Sequence, residues 1–191
     1  MNPALLRVCA AALISFFAIG QPAAKKQQPK SKAPAVEIPV IPARPEDVSN
    51  IDGIVRAYYE VVSGPAGQPR QWSRDRTLYI PGVRFVDLRP DKNGNVAAHS
   101  LTHQEFVDAS DAALGNKAFY EHEIHRIIHR FGNIAHVLST AEQQTSLNGP
   151  VIGHSIDSLE LFYDGHRWWI AGANIWNPAS PDEALPKEFM P

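Results

Sequence analysis

Hydrophobic positions recur with two different periods along this chain, and the changes of period mark out its elements. From Glu46-Asp47 onward, Ile51, Ile54, Val55, Tyr58, Tyr59 and Val62 fall on one face of a helix whose first turn is acidic. Ser63-Gly64-Pro65 ends that helix, residues 66–69 read as a loop, and a shorter helix is expected over 71–79. Residues 83–88 alternate as a strand, with Val83, Phe85 and Asp87 facing one way. After the turn-forming run Asp91-Lys92-Asn93-Gly94-Asn95, residues 96–101 return as a second strand. Thr102, followed three residues later by Glu105, is a capping box. It opens a helix over 103–114 expected to bury Phe106, Val107, Ala109, Ala113 and Leu114, to leave His103 exposed, and to stop at Gly115-Asn116.

The next stretch, EHEIHRIIHRFGNIAH over 121–136, carries both periods. Ile124, Ile127, Ile128 and Phe131 have helical spacing, and His122, His125 and His129 would then line a neighbouring face. A zinc-protease helix needs His-Glu-x-x-His, and His122-Glu123-Ile124-His125 is one residue short of it. Gly132-Asn133 is a two-residue hairpin signal, and residues 134–141 after it are apolar and Ser/Thr-rich with no helix cap. A hairpin turning there pairs Phe131 with Ile134, His129 with His136, Ile127 with Leu138 and His125 with Thr140. Strict alternation then puts Glu121, Glu123, His125, Ile127, His129 and Phe131 on one face. A second hairpin is expected from residues 154–163 and 167–176 around Asp164-Gly165-His166, with Ser155, Asp157, Leu159, Leu161 and Tyr163 sharing a face. Residues 150–154 (PVIGH) are a candidate lip beside it.

Composition bounds the class. A chain of 191 residues with 44% hydrophobic residues suits one domain with tails. The net charge of −2 leaves no basic excess, so a nucleic-acid partner has no electrostatic footprint. Prolines gather in residues 22–45 and after Asn177, which sets both ends apart from the core. The first twenty residues place Arg7 before an apolar run, Val8 to Ile19, that is short for a membrane span and right for a signal peptide. The small residues Ala18-Ile19-Gly20 offer a cleavage site, with Ala23 or Ala24 as later alternatives; an uncleaved anchor is the competing reading. Residues 1–20 are therefore read as a signal peptide, with cleavage extending as far as 24. Residues 21–45 are read as a Pro/Lys/Gln-rich flexible linker, 46–178 as the domain and 179–191 as a Pro-rich tail. The expected location is periplasmic or secreted, with no stable membrane insertion after cleavage. Cys9, the only cysteine, lies inside the apolar run, so the mature chain would hold no thiol or disulfide.

The residues IVRAYYEVVSGPAG (54–67), RFGNIAHVLST (130–140) and GHRWWI (165–170) resemble the SnoaL-like branch of the nuclear-transport-factor-2-like superfamily, over about residues 45–178. The resemblance implies an α+β cone: a strongly curved antiparallel sheet packed on about three N-terminal helices, with a pocket at the open end. It also implies that EHEIHRIIH is strand. Members of that superfamily include isomerases, dehydratases, cyclases, hydrolases and non-catalytic binders, frequently dimers packed through sheet faces, so fold does not give function.

Three kinds of chemistry compete for such a pocket. Asp157, in line with two leucines, is a candidate general base with a raised pKa, His136 or His129 a partner, and Tyr58 or Tyr59 a hydrogen-bond donor. The bland alternative is that Asp157 bonds a neighbouring backbone amide while the tyrosines fill the core. His125, His129, His136 and Glu123 on one face are a candidate zinc set, but a polar dimer face explains them as well, and no metal or cofactor is expected. Tyr59, Trp72, Trp168 and Trp176 are candidate ligand-binding aromatics, Trp168 and its neighbour Trp169 pointing to opposite faces. The expectation is an exported domain binding a small apolar or partly polar molecule, with a possible homodimer through a sheet face. The alternatives are an isomerase, dehydratase or hydrolase using Asp, His and Tyr, and a non-catalytic dimerisation or partner-binding module.

Overall fold

The structure is a computed structural model that describes residues 35–179 and 184–191, all within one compact unit, Pro34–Pro191. For residues 89–90 and 172–179 the backbone alone is described. The expected signal peptide, Cys9 and the first part of the linker lie outside the described residues.

The first helix is two pieces. α1 (Pro45–Val48) stops at Ser49, and α2 (Ile51–Glu60) restarts one residue later with Asn50 as its cap, accepting from the Gly53 amide at 2.7 Å. The join is tight: a Cβ on Gly53 would lie 2.4 Å from the Glu46 carbonyl oxygen. α2 buries Ile54, Val55, Ala57 and Tyr59. α3 (Trp72–Arg76) is shorter than the sequence predicts, because Leu78 and Ile80 leave the helix to exchange backbone hydrogen bonds with Ile170 at 2.9 and 3.0 Å. Sheet pairing outcompetes the last helical turn there.

β1 (Arg84–Pro90) and β2 (Val96–Thr102) form the first hairpin, and α4 (His103–Leu114) follows with the predicted capping box complete. Only Val107 of α4 is fully buried; Ala109 and Ala113 are exposed, since the helix covers the end of the sheet with a narrow face. β3 (Tyr120–Phe131), β4 (Ile134–Gln144), β5 (Val151–Tyr163) and β6 (Trp168–Ala179) form an antiparallel meander. The stretch with helical spacing is therefore strand. Gly132 takes a positive φ of 56° at the β3–β4 turn, the backbone region glycine enters freely. The proposed lip is not a loop: residues 151–154 are the first residues of β5.

The six strands lie in the order β2-β1-β6-β5-β4-β3. The fold is α+β, but one contact differs from the all-antiparallel expectation: β1 runs parallel to β6, Arg84 beside Ala173. A parallel pair needs a long crossover rather than a hairpin, and the chain from β2 through β5 is that crossover. The core lies between α2 and the sheet, with Val137, Leu159, Leu161, Ile170 and Phe85 facing Ile54 and Val55. A second cluster of Ile38, Trp72 and Val107 draws the end of the expected linker onto the domain. There the Val36 amide donates to Asp108 at 2.9 Å and Gln104 donates to the Val36 carbonyl at 2.9 Å.

The four predicted pairings across the β3–β4 turn are all present, His129 opposite His136 included. The predicted face is not. A β-bulge between Glu123 and His125 leaves Ile124 unpaired and shifts the alternation by one residue. Glu121 and Glu123 therefore stand opposite Gln143 and Ala141 on the core side, while His125, Ile127, His129 and Phe131 stay on the outer side.

Candidate functional site

α2 and α4 stand over β3, β4 and β5 without closing on them, and the gap is a cavity of about 200 Å³. Tyr58, Tyr79, Phe106 and Phe119 supply aromatic walls, and Glu121 and Asp157 bring two carboxyl groups to one side. The volume is below the ~300–1,000 Å³ of sites for drug-sized ligands, so a single-ring molecule is the scale that fits.

Asp157 is 2% exposed, and its described partners are hydroxyls rather than backbone amides. Tyr59 donates to Oδ2 at 2.9 Å, Ser155 donates to the same oxygen at 3.0 Å, and Tyr58 lies 3.5 Å from Oδ1. Glu121 faces it across the Ser155 hydroxyl, which lies 3.4 Å from Glu121 Oε1. Gln143 donates to that oxygen at 2.9 Å. Glu121 keeps some solvent contact because it lines the cavity, yet it sits deep enough for desolvation to dominate its titration. Burial first, and then the Asp157 charge, push Glu121 up to about 8, against the opposing hydrogen bonds of Gln143 and Ser155. Burial also pushes Asp157 up, to about 6, against the bonds from Tyr59, Ser155 and Tyr58. The two carboxyls therefore titrate as a pair that holds one proton near neutral pH. The single hydroxyl hydrogen of Ser155 can serve only one of the two carboxyls at a time.

Tyr59 and Tyr79 stay protonated. Burial, followed by the Asp157 charge, holds Tyr59 well above the ordinary phenol range, and burial with Asp75 does the same for Tyr79. Tyr59 also lies 2.8 Å from Ser139, whose hydroxyl reaches Glu123 at 2.5 Å. Glu123 itself is held by Arg126, which also bonds Asp52 at 2.7 Å. This acid is closed off within a pair.

Of the residues expected from sequence, Asp157, Tyr58 and Tyr59 come together. His136 does not: it lies on the other side of the sheet, 3.0 Å from Ser158, because it alternates with the core-facing Ala135 and Val137. His129, its cross-strand neighbour, shares that outer face. The candidate zinc set is divided by the bulge, Glu123 on one side of the sheet and the three histidines on the other. Among the described residues no group of three His, Cys, Asp or Glu could hold a metal ion. Trp72 is core, packed edge-on against Phe106 with its indole N–H toward Asp111 at 3.3 Å. Trp168 is buried beside Tyr163 under Arg130, away from the cavity. Trp169 folds onto the turn, donating to Asp164 at 2.6 Å. The side chain of Trp176 lies outside the described residues. His103 is not exposed but turned onto Asp75 at 2.7 Å, and Asp75 accepts from Tyr79 at 3.2 Å.

Glu121 and Ser155 are the cavity-lining residues that sequence reasoning did not single out as site candidates. The signal for Glu121 was present in the mixed spacing of Ile124, Ile127 and Ile128, which a bulged strand produces as readily as a helix.

No family model matches the chain, and no curated protein matches it. Solved structures bear a distant likeness to it, three of them as follows. One is a protein of unknown function from Mycobacterium tuberculosis, at 12% identity and a TM-score of 0.49, covering 72% of this chain and 80% of that one. Another, from Nostoc punctiforme, is of unknown function with a cystatin-like fold, at 12% identity and a TM-score of 0.42, covering 58% and 79%. A third, from Kribbella flavida, stands at 11% identity and a TM-score of 0.39, covering 54% and 73%. The α+β assignment rests on the strands and helices themselves.

Proposed function

We propose that this protein is an exported small-molecule-binding domain of the SnoaL-like branch of the nuclear-transport-factor-2-like superfamily, its sheet curved into a cone with the cavity at the open end. Helices preceding a long antiparallel meander, with aromatic residues of α2 and α4 over its floor, support that reading. The observation that carries the binding function is the aromatic cavity with Glu121 and Asp157 converging on one wall. Apolar walls with few convergent polar groups are what a specific ligand site needs. Export is supported by Arg7 and the apolar run after it.

A second reading, proton transfer, is favoured by one feature: buried Asp157 and half-buried Glu121 meet at the Ser155 hydroxyl with both carboxyls raised, an arrangement in which one would serve as base and the other as acid. Asp157 would accept the proton, Glu121 would deliver it, and Tyr58 would hold a substrate oxygen. This makes isomerisation or dehydration the reaction class to test.

The binding reading is tested by chemical-shift mapping with neutral single-ring fragments such as phenol and cyclohexanone. Shifts should concentrate on Phe106, Phe119 and Ser155, and should vanish in Ala113→Trp, which fills the cavity from α4. Shifts spread over the outer sheet face, or unchanged in the filled variant, would reject it. For export, residues 1–32 fused to a reporter active only outside the cytoplasm should give signal.

A further inference from the structure

The described lining of the cavity has acids and aromatic faces but no cationic side chain. Among the described residues that line it there is no Lys, Arg or His. The cations in surrounding elements are engaged elsewhere: Arg126 with Glu123 and Asp52, Arg74 with Asp47 and Glu60, and Arg70 with the carbonyls of Pro65 and Lys117. His103 is turned onto Asp75. The remaining groups around the two carboxyls are neutral donors: Tyr58 and Tyr59 from α2, Ser139 and Gln143 from β4, and Ser155 from β5. Tyr79, after α3, and Phe106, from α4, complete the lining with ring surfaces. An acid pair with Asp157 buried and Glu121 half-buried, and no described cation beside it, is an unbalanced charge, and the rings add the negative faces of their π-systems.

Resting on the reading that this cavity holds a small molecule, we propose that its ligand is a small organic cation, a protonated single-ring amine, with its ammonium against Glu121 and Asp157 and its ring among Phe106, Phe119, Tyr58 and Tyr79. Each feature of the site fits that ligand and opposes the others. An ammonium supplies the missing positive charge and donates charge-assisted hydrogen bonds to both carboxyls. Aromatic walls around a desolvated cation attract it further. A carboxylate or phosphate would meet two acids with no counter-charge. A neutral alcohol would fill the space and leave the charge as it was. Binding also displaces the proton that the acid pair holds, since an ammonium takes the place of that proton between the two carboxyls.

Calorimetry on the purified protein with benzylamine, benzyl alcohol and benzoate, three molecules that differ only in the head group, tests the proposal without relying on a variant. Benzylamine should bind at least about tenfold tighter than the alcohol, in keeping with the strength of charge-assisted bonds, and benzoate should give no heat. The benzylamine enthalpy at pH 7 should change with the ionisation enthalpy of the buffer, which reads proton release directly. Glu121→Gln and Asp157→Asn, each checked for folding by circular dichroism, should remove the preference for the amine. If the alcohol binds as tightly as the amine, the cation assignment fails while the ligand cavity stands. If none of the three binds and the neutral fragments give no shifts either, the binding reading fails with it.

Discussion

Tyr59 donates its phenolic hydrogen to Asp157 across 2.9 Å, joining the buried face of α2 to the middle of β5. The two side chains explain each other: a carboxylate that is 2% exposed needs donors, and a buried phenol needs an acceptor. The adjacent Tyr58 approaches the other carboxylate oxygen at 3.5 Å and lines the cavity. The two tyrosines should therefore respond differently to loss of the hydroxyl. Tyr59→Phe should lower stability by about 1–3 kcal/mol, and by more than Tyr58→Phe, which should weaken ligand binding. Denaturant unfolding of both variants checks the order.

The acid pair gives stability a defined pH dependence. Burial raises Glu121 to about 8 and Asp157 to about 6, above their unfolded values near 4. The folded state thus binds more protons than the unfolded state between those limits. Its contribution to stability is most favourable below about pH 4 and declines as pH rises toward 8. Asp157→Asn should accordingly keep or raise stability at pH 8 and flatten the decline, as should Glu121→Gln. Their effects should not add, because removing either charge relieves the other. Unfolding midpoints of the wild type, both single variants and the double variant at pH 5 and pH 8 measure this. A clear loss in Asp157→Asn at pH 8 would mean that the carboxylate is a structural acceptor.

Arg74 and Asp47 form the buried ion pair that ties α1 to α3, at 2.8 and 2.7 Å, with Asp47 fully enclosed and Arg74 also reaching Glu60 at 2.7 Å. Arg74→Met removes both short bonds on Asp47 and leaves it only the half-exposed Arg56 guanidinium at 3.9 Å, so it should lower stability by about 3 kcal/mol. Arg74→Lys should recover only part of it, since an ammonium cannot reproduce the two-pronged contact. Thermal unfolding of the two variants provides the comparison.

Helix α4 depends on a short local signal. Thr102 accepts from the Glu105 amide at 3.2 Å, and the Glu105 side chain accepts from the Thr102 amide at 2.8 Å. Thr102→Ala should lower stability by about 1 kcal/mol, readable in the same unfolding experiment.

His136 bonds Ser158 on the outer face of the sheet. Its replacement by Ala should leave cavity binding unchanged, to within about twofold in Kd, an energy below that of one ordinary hydrogen bond. Titration with the benzylamine probe checks it. A larger loss would mean that the two faces of the sheet communicate.

What the sequence alone determined is what a few neighbouring residues decide. The Thr102–Glu105 box, the Gly132-Asn133 turn with its four cross-strand pairs, and the alternation that aligns Ser155 with Asp157, Leu159 and Leu161 were all legible. Each is written within a helical turn or a hairpin. Asp157, Tyr58 and Tyr59 could be singled out because a polar residue in an apolar stripe is a local anomaly. The tertiary structure decided the rest. The parallel contact of β1 with β6 joins residues some ninety positions apart, Arg84 beside Ala173, and no local pattern specifies it. The bulge after Glu123 is likewise a compromise between two strands, since an extra residue on β3 has meaning only against the register of β4. That one residue carried Glu121 from the outer face to the cavity and separated Glu123 from the histidines. Site chemistry was therefore hidden where period-2 alternation fails, because the face a side chain occupies depends on the whole pairing register, whereas turns and caps depend only on their own backbone.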